Sequence, residues 1–175
     1  MISTGKISLF ATAIVVSASM IEAWVLSRKK TAHFDWHEVM LSLTDLVGRK
    51  LLALLPLSLA APIFAFAWDH RIYTATINSA LMVLLLFVGQ EFFYYWYHRA
   101  SHRIRFFWAT HAVHYSPNQL TLSSAYRLGW TGKLTGTAMF FTPLVWLGIR
   151  PEVVLATLMI NLLYQFCCTT HGCRN

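Results

Sequence analysis

The chain has 175 residues, of which 57% are hydrophobic and only 12% charged; a water-soluble domain carries about a quarter charged residues, so this composition excludes one and points to a lipid environment. The formal net charge of +7 does not indicate nucleic acid, because the basic residues flank apolar runs instead of gathering on one surface. The 3 cysteines, Cys167, Cys168 and Cys173, crowd one end of the chain and exclude a disulfide framework.

In chain order, the first apolar run extends from Ile7 to Leu26 with Glu22 as its one ionisable residue, and it closes on Arg28-Lys29-Lys30. It matches the roughly 20 residues of a bilayer-spanning helix, and the basic cluster behaves as a stop-transfer signal. A cleaved signal peptide, with Lys6 and the small residues Val16-Ser17-Ala18, is the alternative. Leu51 to Trp68 forms the second run, and Ile77 to Gly89 begins a third that continues through aromatic residues to 97. Leu134 to Leu147 and Val153 to Phe166 are shorter and are separated by Gly148-Ile149-Arg150-Pro151-Glu152. They predict a hairpin that crosses with little tilt or dips in and returns.

The basic flanks Arg28-Lys30, Arg49-Lys50, Arg99 to Arg105, Arg127 and Lys133 mark cytoplasmic ends by the positive-inside rule. The expected fold is therefore one all-α integral membrane domain over 1–175. It is a bundle of about four to five transmembrane or re-entrant helices, with spans near 7–26, 51–68, 77–97 and the hairpin 134–147/153–166. A cytoplasmic histidine-rich segment covers 98–133, in a plasma or inner membrane.

That segment carries the chemistry. On a helix, residues three and four apart share a face, so Glu91, Tyr95, His98 and His102 form one stripe, with two imidazoles a turn apart. His111 and His114 follow as a second pair at i, i+3. Neutral imidazole suits iron, zinc and copper. An ionisable residue at membrane depth is costly unless paired or functional, and Glu91 is expected to hold the second nitrogen of a histidine or the metal itself. Arg99 reads either as a basic flank or as a hydrogen-bond donor to Glu91. The aromatic run from Phe92 to Tyr97 suits a membrane interface, whereas His33, His37 and His70 read as solvated or interfacial.

The pattern Glu91-x-x-Tyr94-Tyr95-Trp96-x-His98-Arg99-x-x-His102, then His111-x-x-His114-Tyr115-Ser116, resembles the first two histidine boxes of the fatty acid hydroxylase/sterol desaturase superfamily. The likeness extends through Leu122-Ser123-Ser124-Ala125-Tyr126-Arg127 and Asn161-Leu162-Leu163-Tyr164-Gln165-Phe166, and it covers the chain from about 83 onward. The resemblance implies a membrane-embedded, non-haem di-iron oxygenase that uses O2. Electrons would come from an external donor such as a ferredoxin, a cytochrome b5-like protein or a reductase. The substrate would be a sterol, fatty acid or other lipid, converted to an alcohol or an alkene. The metal ligands map onto His98, His102, His111 and His114, with Glu91, Tyr95 and Arg99 supporting them.

Two departures are visible. The second box ordinarily closes on another histidine where this chain has Tyr115. After Gln165-Phe166 the family supplies further histidines, whereas this chain reads Cys167-Cys168-Thr169-Thr170-His171-Gly172-Cys173. The expectation is a C-terminally truncated or frameshifted bacterial-type member, inactive if the last box is lost. With GC-rich codons, a one-base shift would restore a histidine at Thr169. A small metal site on Cys168, His171 and Cys173 is an alternative reading of the tail. Beyond an oxygenase, the composition also admits a haem-binding electron-transfer protein and a non-catalytic membrane protein.

Overall fold

The computed structural model describes residues 4–29, 34–55, 58–119 and 121–168, with side chains between 9 and 166. His33, Thr169, His171 and Cys173, and the side chain of Cys168, lie outside the described residues. All described elements are helical: α1 (Thr4–Arg28), α2 (Trp36–Leu54), α3 (Ala60–Asp69), α4 (Ala80–Arg103), α5 (Arg105–His111), α6 (Leu122–Ala125), α7 (Thr142–Trp146) and α8 (Pro151–Cys168). Short 3-10 turns occupy Ala112–Tyr115, Trp130–Lys133 and Thr137–Phe141.

Among the described residues, 2 helical stretches are long and apolar enough to cross a bilayer, Leu9–Arg28 in α1 and Ala80–Arg103 in α4. Only 11% of each stretch is buried inside the fold, the reverse of a core helix in a soluble protein. Leu9, Phe10, Ile21, Leu81, Leu84 and Phe92 all project outward. An exposed apolar surface of that extent marks a lipid-facing region. A helix suits that solvent because its backbone hydrogen bonds close within the segment.

The span expected over 51–68 needs correction. That run is divided between the end of α2 and the whole of α3, and the backbone of Leu55 is extended (φ −79°, ψ 138°). Leu55 precedes Pro56, and the residue before a proline is driven out of the α region by contact with the proline ring. With 10 residues, α3 reaches only about 15 Å at 1.5 Å per residue. Where the hairpin was expected the chain forms two short apolar stretches, Thr137–Trp146 and Pro151–Phe166. They meet at Gly148, whose φ of +100° favours glycine. A Cβ at Gly148 would fall on the Tyr73 carbonyl, and the neighbouring bond from Ala75 N–H to the Gly148 carbonyl (3.0 Å) holds that close approach.

The hydrophobic core lies where α3, α7 and α8 meet, built from Phe64, Ala67, Phe141, Leu144, Val145 and Val154, with Phe93 and Tyr94 of α4 packed against it. The polar segment from 116 to 129 is held from the other side. Glu22 of α1 accepts the backbone N–H of Leu122, Glu38 of α2 pairs with Arg127 at 2.9 Å, and Asp45 accepts Leu128 N–H at 3.1 Å. Three carboxylates on the first two helices thus secure the segment that follows the histidines.

Candidate metal centre

α4 begins on Ser79, whose hydroxyl accepts the N–H of Met82 at 3.3 Å, an N-cap that satisfies one of the otherwise unpaired first-turn amides. It continues without a break into the histidine stretch, so His98 and His102 stand on the last turns of the apolar helix itself. Ile104 is extended (φ −107°, ψ 118°), and this single residue turns the chain so that α5 packs back on α4. That reversal carries His111 to the first pair.

The imidazoles of His98, His102 and His111 each offer a nitrogen, and these atoms lie within 4.8 Å of one another. Ring centroids are 4.7 Å apart for His98 and His102, 4.8 Å for His98 and His111, and 4.9 Å for His102 and His111. His98 Nε2 and His102 Nε2 are 3.1 Å apart. Two adjacent ligands on one ion, with bonds of about 2.1 Å at a right angle, stand about 3 Å apart. His98 Nδ1 and His111 Nε2 are buried and have no hydrogen-bond partner, an uncommon state for buried polar atoms. Burial, reinforced by the charges of His98, His102 and His114, lowers the His111 pKa to about 4, so its ring stays neutral and able to donate a lone pair. Three imidazole nitrogens at these separations fit a first-row divalent ion such as iron.

The fourth predicted ligand is placed differently. His114 sits on the 3-10 turn, its Nδ1 3.2 Å from the Arg127 carbonyl and its ring 6.1 Å from that of His111. Donation from Nδ1 to that carbonyl leaves Nε2 as the lone-pair nitrogen. Tyr115 also reaches the cluster, its hydroxyl 3.1 Å from His102 Nε2.

The carboxylate of Glu91 does not reach an imidazole. It accepts the Asn161 amide, Asn161 accepts Gln165 Nε2 at 3.0 Å, and Gln165 accepts the Tyr94 hydroxyl at 3.0 Å. Glu91 and His98 do line one open cleft of about 330 Å³ with Tyr94, Tyr95 and Gln165. Arg99 donates to the Tyr95 hydroxyl at 2.8 Å. His70 is paired locally with the Phe66 carbonyl at 2.9 Å, as a histidine at a helix end.

Sequence reasoning treated Tyr115 only as a departure and overlooked Asn161, Gln165 and Glu38 as site-supporting residues. For Glu38 a signal existed, since a carboxylate among apolar neighbours in a chain with only 7 acidic residues implies a partner.

The family described as fatty acid hydroxylase matches residues 83–173. An alkylglycerol monooxygenase of Homo sapiens is 30% identical over 94% of this chain and 37% of its own length. Alkylglycerol monooxygenases of Danio rerio and Xenopus tropicalis are 32% and 33% identical, over 77% and 59% of this chain and 30% and 23% of theirs. The chain thus spans about a third or less of the relatives it matches. No solved structure matches it.

Proposed function

The chain belongs to the fatty acid hydroxylase family, and from that premise we propose that it forms the iron-holding part of a membrane oxygenase that hydroxylates a lipid. The observation that carries this reading is the convergence of His98, His102 and His111 on one point at the end of a helix suited to a bilayer. Their nitrogens would hold iron, which when bound supplies the activation of O2 that an unactivated C–H bond requires. The close His98–His102 spacing of 3.1 Å favours direct ligation over haem, whose axial histidines stand on opposite faces of the ring.

The rest is the work of the chain's own side chains. The exposed apolar faces of α1 and α4 keep the centre at the edge of the lipid phase, where an acyl or alkyl chain can approach laterally. The cleft bounded by Glu91, Tyr94, Tyr95, His98 and Gln165 opens beside the centre, with the rings of Tyr94 and Tyr95 offering apolar faces to a hydrocarbon. Arg99, Arg103 and Arg105 beside His98 and His102 support a reading in which this end of α4 faces the cytoplasm, where an external electron donor would dock. The names of the relatives point to glycerol ether lipids as the substrate class to test first.

The test combines composition and product. The protein, purified from membranes, is expected to contain iron and no haem absorbance. Membranes carrying it are expected to convert an alkylglycerol, with a reductant and 18O2, to a product that holds one labelled oxygen. H102A should abolish both the iron and the product. Iron absent from the purified wild-type protein would remove the basis for the reading.

A further inference from the structure

We propose that Tyr115 is a metal ligand, so that the centre is a three-histidine, one-phenolate site that prefers a ferric ion in its resting state. The inference rests on the reading of His98, His102 and His111 as an iron site.

The case begins with His102 Nε2, which lies 3.1 Å from His98 Nε2 and 3.1 Å from the Tyr115 hydroxyl. An sp² ring nitrogen has one in-plane direction, carrying either a lone pair or a proton. It cannot serve both neighbours with good hydrogen-bond geometry. Three donor atoms crowded in this way, each with a lone pair, are what a cation between them would satisfy. Both separations equal the roughly 3 Å expected between adjacent ligands with bonds of about 2.1 Å.

The phenol is embedded in the ligand set and does not merely brush its edge. Its ring centroid is 5.1 Å from His102, 5.3 Å from His111 and 5.6 Å from His114, and Trp108 packs against it at 5.9 Å. The 3-10 turn Ala112–Tyr115 sets this position. It projects Tyr115 toward His102, while His114 Nδ1 lies 3.2 Å from the Arg127 carbonyl.

A phenol with a pKa near 10 is a poor ligand while protonated. A bound cation is the largest local charge in such a site and reverses that preference, as it does for a coordinated thiol or water. On binding, the phenol O–H breaks, an oxygen–iron bond forms, and the proton leaves to bulk water, to which the half-exposed Tyr115 (53%) has access. Oxygen as phenolate is a harder donor than imidazole, and tyrosine ligation of ferric iron has precedent in haem proteins.

The assignment has an optical signature independent of turnover, because a phenolate bound to ferric iron absorbs in the visible by charge transfer. Detergent-purified protein is loaded with iron, oxidised in air and examined by absorbance and by resonance Raman excited in the visible. Wild type is expected to show the band and tyrosinate ring modes, and to lose both on reduction. Y115F and Y115H are expected to retain iron without the band, whereas Y73F, remote from the centre, keeps it. Iron bound by wild type with no band, or with a band that lacks tyrosinate modes, overturns the ligand assignment and leaves the iron site standing. A band that persists in Y115H overturns the assignment in the same way. Failure of wild type to bind iron overturns both. Should Y115F not fold, the Raman spectrum of wild type and the Y115H comparison still decide.

Discussion

Arg127 links the first third of the chain to the histidine cluster through two of its own atoms: its carbonyl lies 3.2 Å from His114 Nδ1, and its guanidinium lies 2.9 Å from Glu38. Glu38 also accepts the Asn118 side chain at 2.8 Å, so one buried carboxylate of α2 holds both ends of the loop that faces the metal centre. Removing one partner of a buried ion pair leaves an uncompensated charge and costs about 3–5 kcal/mol. E38A is therefore expected to lower stability by that order and to loosen His114. The check is denaturant unfolding in detergent, with E38Q, which keeps one of the two acceptor oxygens and loses the charge, falling between E38A and wild type. An E38A protein as stable as wild type would show that the clamp contributes nothing.

The four histidines are not equivalent, and metal analysis should resolve them. Losing an outer partner of a metal ligand already costs roughly 10–100-fold in affinity. H98A, H102A and H111A, which remove nitrogens that converge within 4.8 Å, should each cost at least that much. H114A, which removes a ring outside the set of nitrogens that converge within 4.8 Å, should retain more iron than any of the three. Equal losses across the series would mean that His114 swings into the centre on binding.

The metal-free protein should weaken in mild acid because of His111. Its pKa is lowered to about 4, first by burial and then by His98, His102 and His114, whereas an unfolded histidine titrates near 6.5. Between those values the unfolded chain binds a proton that the folded chain refuses, so stability is full above about pH 6.5 and declines as pH falls toward 4. Thermal unfolding of the metal-free protein at pH 7.5 and pH 5 measures the decline, and H111Q should reduce it, with His98, whose pKa burial also lowers, carrying the remainder. An unchanged slope in H111Q would assign the effect to another group.

Gly148 offers a test of the fold away from the metal. A non-glycine residue at φ +100° carries a strain of about 1–3 kcal/mol, and its Cβ would also meet the Tyr73 carbonyl. G148A should lower the thermal midpoint clearly. G132A, where an added Cβ meets nothing within 4 Å, should stay within about 0.5 kcal/mol of wild type.

Helical periodicity and composition alone determined that this chain lives in lipid, that α1 and α4 can cross it, and that His98 and His102 share a face. Those properties are local: a run of apolar side chains needs no partner to declare its solvent, and a spacing of four places two rings together on any α-helix. The break at Leu55 was missed by the hydropathy of the 51–68 run, although Pro56 constrains its neighbour before any packing occurs. Only the tertiary structure decided that His111 joins the first pair while His114 turns to Arg127, that Tyr115 reaches His102, and that Glu91 meets Asn161, 70 positions away. Each depends on the direction in which one helix leaves another, at Ile104 and at the 3-10 turn, and on which distant segment arrives opposite. A few degrees of backbone rotation there move a side chain across the site, and no spacing along the chain encodes that angle.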